Sequence, residues 1–397
     1  MDSTLIESDL KLSANTAATP SEITLEICEP SNIGTAEKAW RDIEGKLELV
    51  PLACTWTWTK TWIECYQHLV SYRIVVGRSG NTVCGVCLLS ESRLPLAGPI
   101  RKSTLSLGTA GEPEGDSVCV EYNAVLTLPE HRRRFEDGLF QIVEARSGWD
   151  EFRIDGFGPE DLPNGVTSAA GFAIRTDDSL YFDLNQARQA NTDALTQLSY
   201  KSRKRIRKNL KSYGPLTVQW ADTRSQAHEI LDDLITLHQA RWEAVGKTGV
   251  FASQPFLDFH RNLLERLRIG EDVGLFRVLA DDKTLGCTHV LIDRNRVLNY
   301  QGGTVPLDGK LSPGVIVDYL CIEECLKRNF DAFDFLGHVS HHKRKLSTAT
   351  SQLLWAVRRR PRLKYAVVDA AQALRNRWRR LLQPNSSEAE NVASQTT

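Results

Sequence analysis

The sequence predicts an α/β protein built from two similar halves, and three observations support this prediction. The chain has 397 residues, which corresponds to about two domains of roughly 100–200 residues each. Hydrophobic residues make up 41 % and charged residues 25 % of the chain, as is typical of globular proteins. One order of predicted elements occurs twice along the chain: helix, helix, hairpin, strand, helix, strand.

The first half shows this order in its apolar periodicity and its turn residues. Helices are predicted over 36–47, 56–69 and 135–146. Strands are predicted over 72–77, 82–90, 119–126 and 151–157. The first two strands form a hairpin, because the turn 78–81 between them is rich in turn-forming residues.

The second half repeats the order. Helices are predicted over 225–245, 256–268 and 313–328. Strands are predicted over 273–280, 284–292, 297–301 and 332–336. Short sequence echoes link the halves, since 81–85 resembles 283–287 and 149–154 resembles 330–335. Together with the order of elements, these echoes favour an internal duplication.

The chain therefore divides into an N-terminal domain over 22–185 and a C-terminal domain over 186–357. A basic C-terminal helix is predicted over 358–382, where nine basic residues accompany one acidic residue. This helix either packs on the domain with a basic outer face or contacts an anionic membrane or a partner. The segments 1–21 and 383–397 are polar, which predicts disorder.

The overall charge and the cysteine count exclude several classes of protein. The net charge is −1, so no global field recruits nucleic acid or a membrane. Nine scattered cysteines, an odd number, argue against a disulfide framework and for a reducing compartment. The N-terminus lacks the basic start and apolar core of a signal peptide, and no apolar run approaches the roughly 20 residues that span a bilayer. We expect a cytoplasmic protein.

Ser312, Pro313 and Gly314 follow a predicted strand and open a predicted helix. Ser312 can cap this helix through its side chain, and Pro313 suits the first helical position, where no amide donor is needed. Gly314 leaves room for close approach to the backbone, and the N-terminus of a helix attracts anions. The turn 310–314 is thus a candidate phosphate site, with an ordinary helix start as the alternative.

A second candidate anion site is the run 200–211, in which seven of twelve residues are basic. On a helix, Arg203 and Arg207 share one face with Lys211, and Lys204 lies next to Lys208 on another. This density suits a phosphate-rich ligand, whether a coenzyme, a nucleotide-linked substrate or tRNA. The alternative is a solvated helix face.

Two further groups of polar residues are candidates for the chemistry. His238, Arg241 and Trp242 lie close together at the end of a predicted helix, either as a ligand site or with Trp242 in the core. Asp334 alternates with apolar neighbours and so faces the other side of the sheet from them. Three histidines follow between 338 and 342, but no carboxylate or cysteine with ligand spacing accompanies them, so we expect no metal.

Five short motifs occur in order in the second half and are followed by Lys343. They are Ser-Arg-Lys-Arg-Ile-Arg at 202–207, Leu-His with Arg-Trp at 237–242, Tyr-Gln-Gly-Gly at 300–303, Ser-Pro-Gly at 312–314 and Phe-Asp-Phe-Leu at 333–336. In this order they resemble the acetyltransferase domain of the CelD/BcsL type. That group of the GNAT superfamily occurs in cellulose and exopolysaccharide operons and is related to the Fem-type peptidoglycan aminoacyltransferases. The resemblance covers about 195–350, with a fainter match over the first half.

The resemblance implies two tandem GNAT-like domains, each a mixed, mostly antiparallel sheet flanked by helices. In GNAT enzymes the turn between the central strand and the next helix holds the acyl-CoA pyrophosphate, and here that turn is 310–314. The coenzyme contacts implied in this chain are Tyr300, Gly303, Ser312, Pro313 and Gly314. The substrate contacts are Arg203, Arg207, His238, Arg241 and Trp242. The catalytic candidates are Asp334, His338 and Lys343.

The implied function is transfer of an acetyl or other acyl group from acyl-CoA to an amine or hydroxyl, without a metal, in exopolysaccharide or cell-envelope biosynthesis. The acceptor would be a sugar, an amine or an envelope precursor. The basic C-terminal helix would contact a membrane or the polysaccharide-synthesis machinery. One alternative is a Fem-type transferase that uses aminoacyl-tRNA, and another is a non-catalytic assembly factor with the same fold.

The first half lacks a comparable anion site. Its strand-to-helix stretch 126–131 contains no glycine, and Glu130 would repel a phosphate at the helix N-terminus. We therefore expect one coenzyme per chain, bound by the second half, with the first half shaping the acceptor cleft.

Overall fold

A computed structural model describes residues 22–306 and 312–382. The first half of the chain forms seven strands and three helices. The strands are β1 (Ile23–Cys28), β2 (Ser71–Ser79), β3 (Thr82–Ala97), β4 (Ile100–Leu107), β5 (Leu126–Thr127), β6 (Glu151–Phe157) and β7 (Phe172–Asp183). The helices are α1 (Ile33–Glu44), α2 (Trp56–Tyr66) and α3 (Arg132–Ala145).

The second half contributes the remaining elements. Its helices are α4 (Leu184–Gln189), α5 (Ala194–Gln197), α6 (Tyr200–Tyr213), α7 (Arg224–Glu243), α8 (Gln254–Arg266), α9 (Pro313–Lys327), α10 (His341–Leu346) and α11 (Leu363–Leu382). Its strands are β8 (Leu216–Trp220), β9 (Val273–Ala280), β10 (Lys283–Asp293), β11 (Arg296–Thr304), β12 (Ala332–Asp334) and β13 (Ala349–Arg359).

All these strands join one sheet, in the order β1-β2-β3-β4-β6-β13-β7-β12-β11-β10-β9-β8, with β5 paired to β3. Two pairs, β4 with β6 and β11 with β12, are parallel, and the other named pairs are antiparallel. Helices flank the sheet. The predicted fold class, a mixed and mostly antiparallel sheet flanked by helices in two successive halves, is confirmed.

The two halves exchange strands at the centre of the sheet. β7, from the first half, pairs with β12 and β13 of the second half, and β13 in turn pairs with β6 of the first. Phe182 of β7 lies opposite Phe333 of β12, and both side chains are fully buried. Each half thus completes the sheet of the other, so separating them would expose both backbone edges and this apolar pair.

The apolar core is also continuous between the halves. Trp58 of α2 meets Phe259 of α8 edge to face, with ring centroids 4.9 Å apart. Both rings are almost entirely buried, and the same cluster contains residues of both sheet halves. The cleft described below therefore lies between halves that are packed against each other.

Local elements match the sequence-based prediction closely, but the strands β1, β7 and β8 were not predicted, and three further strands differ from it. β6 and β9 have the predicted bounds, but residues 119–125 are irregular, because Cys119 and Tyr122 adopt positive φ angles of 46° and 61°. Only Leu126 and Thr127 of that predicted strand pair with β3. β4 was not predicted, and neither was β13. Since β13 includes 358 and 359, the C-terminal helix begins at Leu363 and not at 358.

Some predictions fall outside the described residues. They are the disordered segments 1–21 and 383–397 and the first two residues of the turn 310–314. Among the described helices, none combines the length and apolar character needed to cross a bilayer.

Candidate active site

A cleft opens where β11 and β12 separate. The two strands pair in parallel only from Arg296 opposite Ala332 to Leu298 opposite Asp334. Beyond this point β11 continues to Thr304, while the chain after β12 turns away at Leu336, whose φ is +61°. The resulting cleft has a volume of about 850 Å³, within the range of about 300–1,000 Å³ common for ligand pockets.

Three walls enclose the cleft. One wall is the end of β11, over 299–304; the second is the segment 335–337; and the third is the start of α9, over 312–315. α10 closes one side and the first half contributes 119 and 121. Both halves therefore line the same cavity.

Tyr300 forms a β-bulge at the wall of this cleft. On β10, His289 lies opposite Gln301 and Val290 lies opposite Asn299, so Tyr300 is the extra residue. A bulge leaves the extra residue outside the ladder of backbone hydrogen bonds and redirects the strand. On its other edge, β11 pairs with β12 only as far as Leu298, and the stretch of β11 beyond that point lines the cleft.

The Tyr300 side chain bridges the two halves. Its hydroxyl donates to the carbonyl oxygen of Val118 at 2.6 Å, and its ring lies 5.0 Å from that of His260. Burial raises the pKa of this phenol well above its usual range, so the hydroxyl stays protonated. Tyr300 lines the cleft, as the sequence predicts for a coenzyme contact, but its hydroxyl is already committed to Val118.

The start of α9 is the candidate phosphate site predicted from the sequence. Pro313 occupies the first turn as predicted. Ser312 is at the cap position, but its side chain accepts no capping bond within the described residues; its hydroxyl instead accepts from Arg205 at 2.7 Å. A Cβ added to Gly314 would meet its nearest neighbour, His342, at 3.5 Å, which is ordinary contact. The fold alone therefore tolerates a side chain at 314.

Three cations surround this helix start. Lys201 and Arg205 lie one turn apart on α6, and Lys345 projects from α10. The pKa of Lys345 is lowered by burial and then by the like charges of Arg205 and Lys201. Such crowding of positive charge beside a helix N-terminus favours an anion there.

The other face of α6 is directed elsewhere. Arg203 donates to the carbonyl oxygen of Thr196 at 3.0 Å, and Arg207 is exposed beside Asp193, whose pKa it helps to lower. The sequence-based choice of Arg203 and Arg207 as ligand contacts thus selected the face that points away from the cleft, whereas the structure brings Arg205 to it.

Glu121 was missed by sequence reasoning, because its segment was predicted as a strand. Its carboxylate lines the cleft and accepts a hydrogen bond from the backbone amide of Gly337 at 2.8 Å. Burial raises the pKa of this carboxyl to about 7, against the opposing effects of the Gly337 amide and the Lys343 ammonium. A carboxyl with that pKa exchanges a proton near neutral pH, as a general base or acid does.

Lys343 holds the loop that follows β12. Its ammonium donates to the carbonyl oxygens of Leu336 at 3.1 Å and Gly337 at 2.5 Å. Leu336 and His338 in this loop have positive φ angles of 61° and 63°, a strained conformation for residues with side chains. Lys343 also lines the cleft. His338, predicted as catalytic, is exposed and lies outside the cleft lining.

Asp334, the other predicted catalytic candidate, is fully buried and lies outside the cleft lining. Its carboxylate accepts from the Ser179 hydroxyl and the Leu336 amide, each at 2.7 Å, and from the Tyr122 hydroxyl. Arg296 completes the set at 2.7 Å. Because these four donors occupy its oxygens, Asp334 ties β12 to its neighbours and fixes the strand from which the loop 335–340 departs.

Asp318 and His342 form a pair inside the cleft. The His342 Nε2 lies 2.6 Å from the Asp318 carboxylate, and Asn299 donates to the same carboxylate at 3.3 Å. All three residues line the cleft. In the part of the chain that the structure describes, no group of three or more metal-ligating side chains is gathered.

The predicted group of His238, Arg241 and Trp242 divides between two clefts. Arg241 lines the first. Trp242 donates to His238 at 2.9 Å, and both line an adjacent cleft of about 560 Å³, which shares Gln301 with the first. Burial lowers the pKa of His238, so it accepts this bond as a neutral imidazole.

Gly303, predicted as a coenzyme contact, serves the packing of α7 on β11. A Cβ at this position would lie 2.7 Å from the carbonyl oxygen of Leu234 and 3.0 Å from the amide of His238. Only glycine lets the helix approach the strand this closely. Gly303 itself lies outside the cleft lining.

Comparisons with known proteins give one family match and a shared fold. Residues 199–344 match the family model of an acetyltransferase (GNAT) domain. No curated protein sequence matches the chain. The crystal structure of FemX superposes with a TM-score of 0.51 at 13 % identity, covering 81 % of this chain and 95 % of that one.

Two further solved structures superpose more loosely. The C-terminal domain of a putative lysylphosphatidylglycerol synthetase from Agrobacterium fabrum gives a TM-score of 0.48 at 13 % identity, covering 86 % of this chain and 94 % of that one. A tandem GNAT protein from the clavulanic acid biosynthesis pathway gives 0.44 at 12 % identity, covering 86 % and 100 %. Residues 199–344 are therefore similar to a GNAT acetyltransferase domain, within a fold that most of the chain shares with FemX.

Proposed function

We propose that the protein is an acyltransferase that moves an acyl group, acetyl in the simplest case, from acyl-CoA to an amine or hydroxyl acceptor. The observation that carries this proposal is a single cleft with an anion-binding end and a proton-accepting group. The start of α9, together with Arg205 and Lys345, forms the anion-binding end. Glu121 is the proton-accepting group.

The donor would enter with its pyrophosphate at the start of α9. The helix dipole, Arg205 and Lys345 supply positive charge there, and Gly314 leaves the backbone open to close contact. The pantetheine arm would then follow the gap between β11 and the segment 335–337. This route directs the thioester toward the bulge at Tyr300.

The chemistry would follow from this position. The acceptor nitrogen or oxygen attacks the thioester carbonyl, and Glu121 accepts the proton that the acceptor loses. A backbone amide of β11 beside the bulge stabilises the developing oxyanion, and the CoA thiolate leaves. Holding both substrates in one cleft supplies a large part of the rate enhancement.

The narrower resemblance to the CelD/BcsL type favours an acceptor from exopolysaccharide or cell-envelope biosynthesis, namely a sugar, an amine or an envelope precursor. We propose that class of acceptor on the resemblance alone. The cleft beside His238 and Trp242 adjoins the donor cleft through Gln301 and is the space we assign to it.

A second candidate is transfer from aminoacyl-tRNA. It is supported by the exposed cations of α6: Lys204, Arg207, Lys208 and Lys211. A non-catalytic assembly factor with this fold is the third reading.

Titration calorimetry with acyl-CoA and with tRNA distinguishes the three candidate functions. The donor proposal expects acetyl-CoA or a longer acyl-CoA to bind the full chain at one site per chain. Binding of tRNA with a steep salt dependence, and of no acyl-CoA, would support the aminoacyl-tRNA reading. If the chain binds neither acyl-CoA nor tRNA, the result would support a non-catalytic assembly factor.

A further inference from the structure

The C-terminal helix α11 leaves the body of the protein partway along its length. Val368 is 5 % exposed, but all described side chains that follow it, from Asp369 onward, are exposed. The sequence-based alternative of a helix packed on the domain therefore holds only for its first turns.

The start of α11 is fixed to the protein by ionic contacts. Lys364 pairs with Asp150 and donates to the carbonyl oxygen of Arg101 at 3.1 Å. Arg362, just before the helix, lies 3.4 Å from the Asp150 carboxylate. These contacts set the direction in which the exposed part of the helix extends.

An exposed apolar stripe runs along α11 from its first residue. Leu363, Val367, Leu374 and Trp378 are 87 %, 58 %, 59 % and 61 % exposed. At about 100° per residue, their positions fall within a sector of about 60°, and Ala370 and Ala371 extend it. The stripe runs for about 22 Å at about 1.5 Å per residue. Large exposed apolar surfaces of this kind mark a site that binds something.

Basic residues accompany the stripe. Arg375 is exposed beside it, and the sequence adds Arg377, Arg379 and Arg380, while Asp369 is the one acidic residue of the helix. Leucine, valine and tryptophan on one side with arginines around them match a lipid surface, where acyl chains lie beneath anionic headgroups. A second copy of the helix fits less well, because its arginines would meet those of the first.

We propose that α11 is a membrane-surface anchor that lies in the headgroup region of an anionic bilayer with Leu363, Val367, Leu374 and Trp378 inserted. Arg375 contacts the lipid phosphates, and the arginines that follow it in sequence add to the positive charge of the segment. The anchor holds the cleft beside the membrane and does not depend on the reaction proposed for that cleft.

The test uses the full chain and vesicles of phosphatidylcholine with or without phosphatidylglycerol. Co-sedimentation should be strong with the anionic vesicles, weak with the neutral ones, and reduced by salt. Leu374→Glu with Trp378→Glu should weaken binding at least about tenfold, because it places two charges in the stripe. These side chains are exposed, so the melting temperature should not change.

The matched control is Gln372→Glu with Asn376→Glu, which adds the same charge on the opposite face of α11. It should weaken binding by less than about threefold, through charge alone. Equal losses in both variants, or failure of the natural chain to bind anionic vesicles, would overturn the proposal. A dimer that the stripe variant dissociates, without vesicle binding, would assign the stripe to a second copy instead.

Discussion

The backbone amide of Gly337 donates a 2.8 Å hydrogen bond to the carboxylate of Glu121. The amide belongs to the loop after β12 in the second half, and the carboxylate belongs to an irregular segment of the first half. A Cβ at 337 would lie 2.9 Å from Glu121 Oε1, so a side chain there would displace the carboxylate. One hydrogen bond thus places a titratable group of the first half inside the cleft of the second.

Replacing Glu121 with glutamine should reduce turnover by about 10²–10⁴-fold while leaving acyl-CoA affinity nearly unchanged. The amide oxygen of glutamine can still accept from Gly337, so the loop should keep its position. Steady-state kinetics and calorimetry on the same preparation measure the two effects.

Glu112→Gln is the matched control for this variant. Glu112 is also a buried carboxyl whose pKa is raised to about 7 by burial, but it accepts from Trp62 and lies outside the cleft lining. Its loss should leave turnover within about threefold of the natural value. Similar losses in both variants would mean that Glu121 acts on the fold and not on the reaction.

The rate should depend on pH through Glu121. A base must be deprotonated to accept a proton, so kcat/KM should rise with pH and level off above a pKa of about 7. In Glu121→Gln this rise of kcat/KM with pH should be absent. If the rise of kcat/KM with pH persists unchanged in the variant, another group is responsible for the titration.

Stability should show the opposite dependence. Because the folded pKa of Glu121 is raised above its ordinary value of 4.5, the folded state binds the proton more tightly than the unfolded state. This contribution is present below about pH 4.5 and is lost as pH rises through about 7. The free energy of unfolding of the natural chain should therefore fall, relative to Glu121→Gln, over that interval. Chemical denaturation at several pH values measures it.

Arg205→Ala with Lys345→Ala should weaken acyl-CoA binding by at least about tenfold, because both cations border the start of α9. Arg203→Ala with Arg207→Ala is the matched control, with the same change in charge on the face of α6 that points away from the cleft. It should change affinity by less than about threefold. A larger loss of affinity in Arg203→Ala with Arg207→Ala than in Arg205→Ala with Lys345→Ala would mean that the pyrophosphate binds on the outer face of α6.

The two faces of α6 also illustrate what could not be predicted from the sequence alone. The density of basic residues in 200–211 was enough to predict a helix and an anion site. It did not reveal which face binds, because that depends on where α9 and α10 pack against the helix. Hairpins and isolated helices were predicted well since their signals are local. β7 and β13 exchange partners across the halves, and nothing local in their sequences indicates that.

The sequence did not identify Glu121 as a site residue, for a related reason. The alternation of apolar and polar residues over 119–126 fits a strand, but the positive φ angles at Cys119 and Tyr122 break that strand. They are tolerated because the segment packs against β6: a Cβ on Gly156 would lie 2.2 Å from the carbonyl oxygen of Val120. A tertiary contact thus overrides the local pattern.

Two glycines near the cleft should respond in opposite ways to a side chain. Gly314→Val should weaken acyl-CoA binding with little change in melting temperature, because the added Cβ would make only an ordinary contact with His342, at 3.5 Å. Gly303→Ala should lower the free energy of unfolding by about 1–3 kcal/mol, since its Cβ would lie 2.7 Å from the carbonyl oxygen of Leu234. Unchanged coenzyme affinity in folded Gly314→Val would move the pyrophosphate to another place.

The number of coenzymes per chain should be one, bound by the second half. In the first half, β4 and β6 pair in parallel as β11 and β12 do, from Thr104 opposite Glu151 to Leu107 opposite Ile154. The space beyond them is filled by the chain itself. Asn123 bridges to Phe157 and its side-chain amide donates to the carbonyl oxygen of Leu107 at 3.2 Å.

The helix start on that side is also unsuited to phosphate. Glu130 lies in the first turn of the short helix before α3, where its negative charge would repel an anion. Calorimetric titration with acyl-CoA should therefore give a stoichiometry near one, and Arg205→Ala with Lys345→Ala should weaken that one site. Two equivalent sites per chain would refute the prediction, because the second would have to displace Asn123 from between β4 and β6.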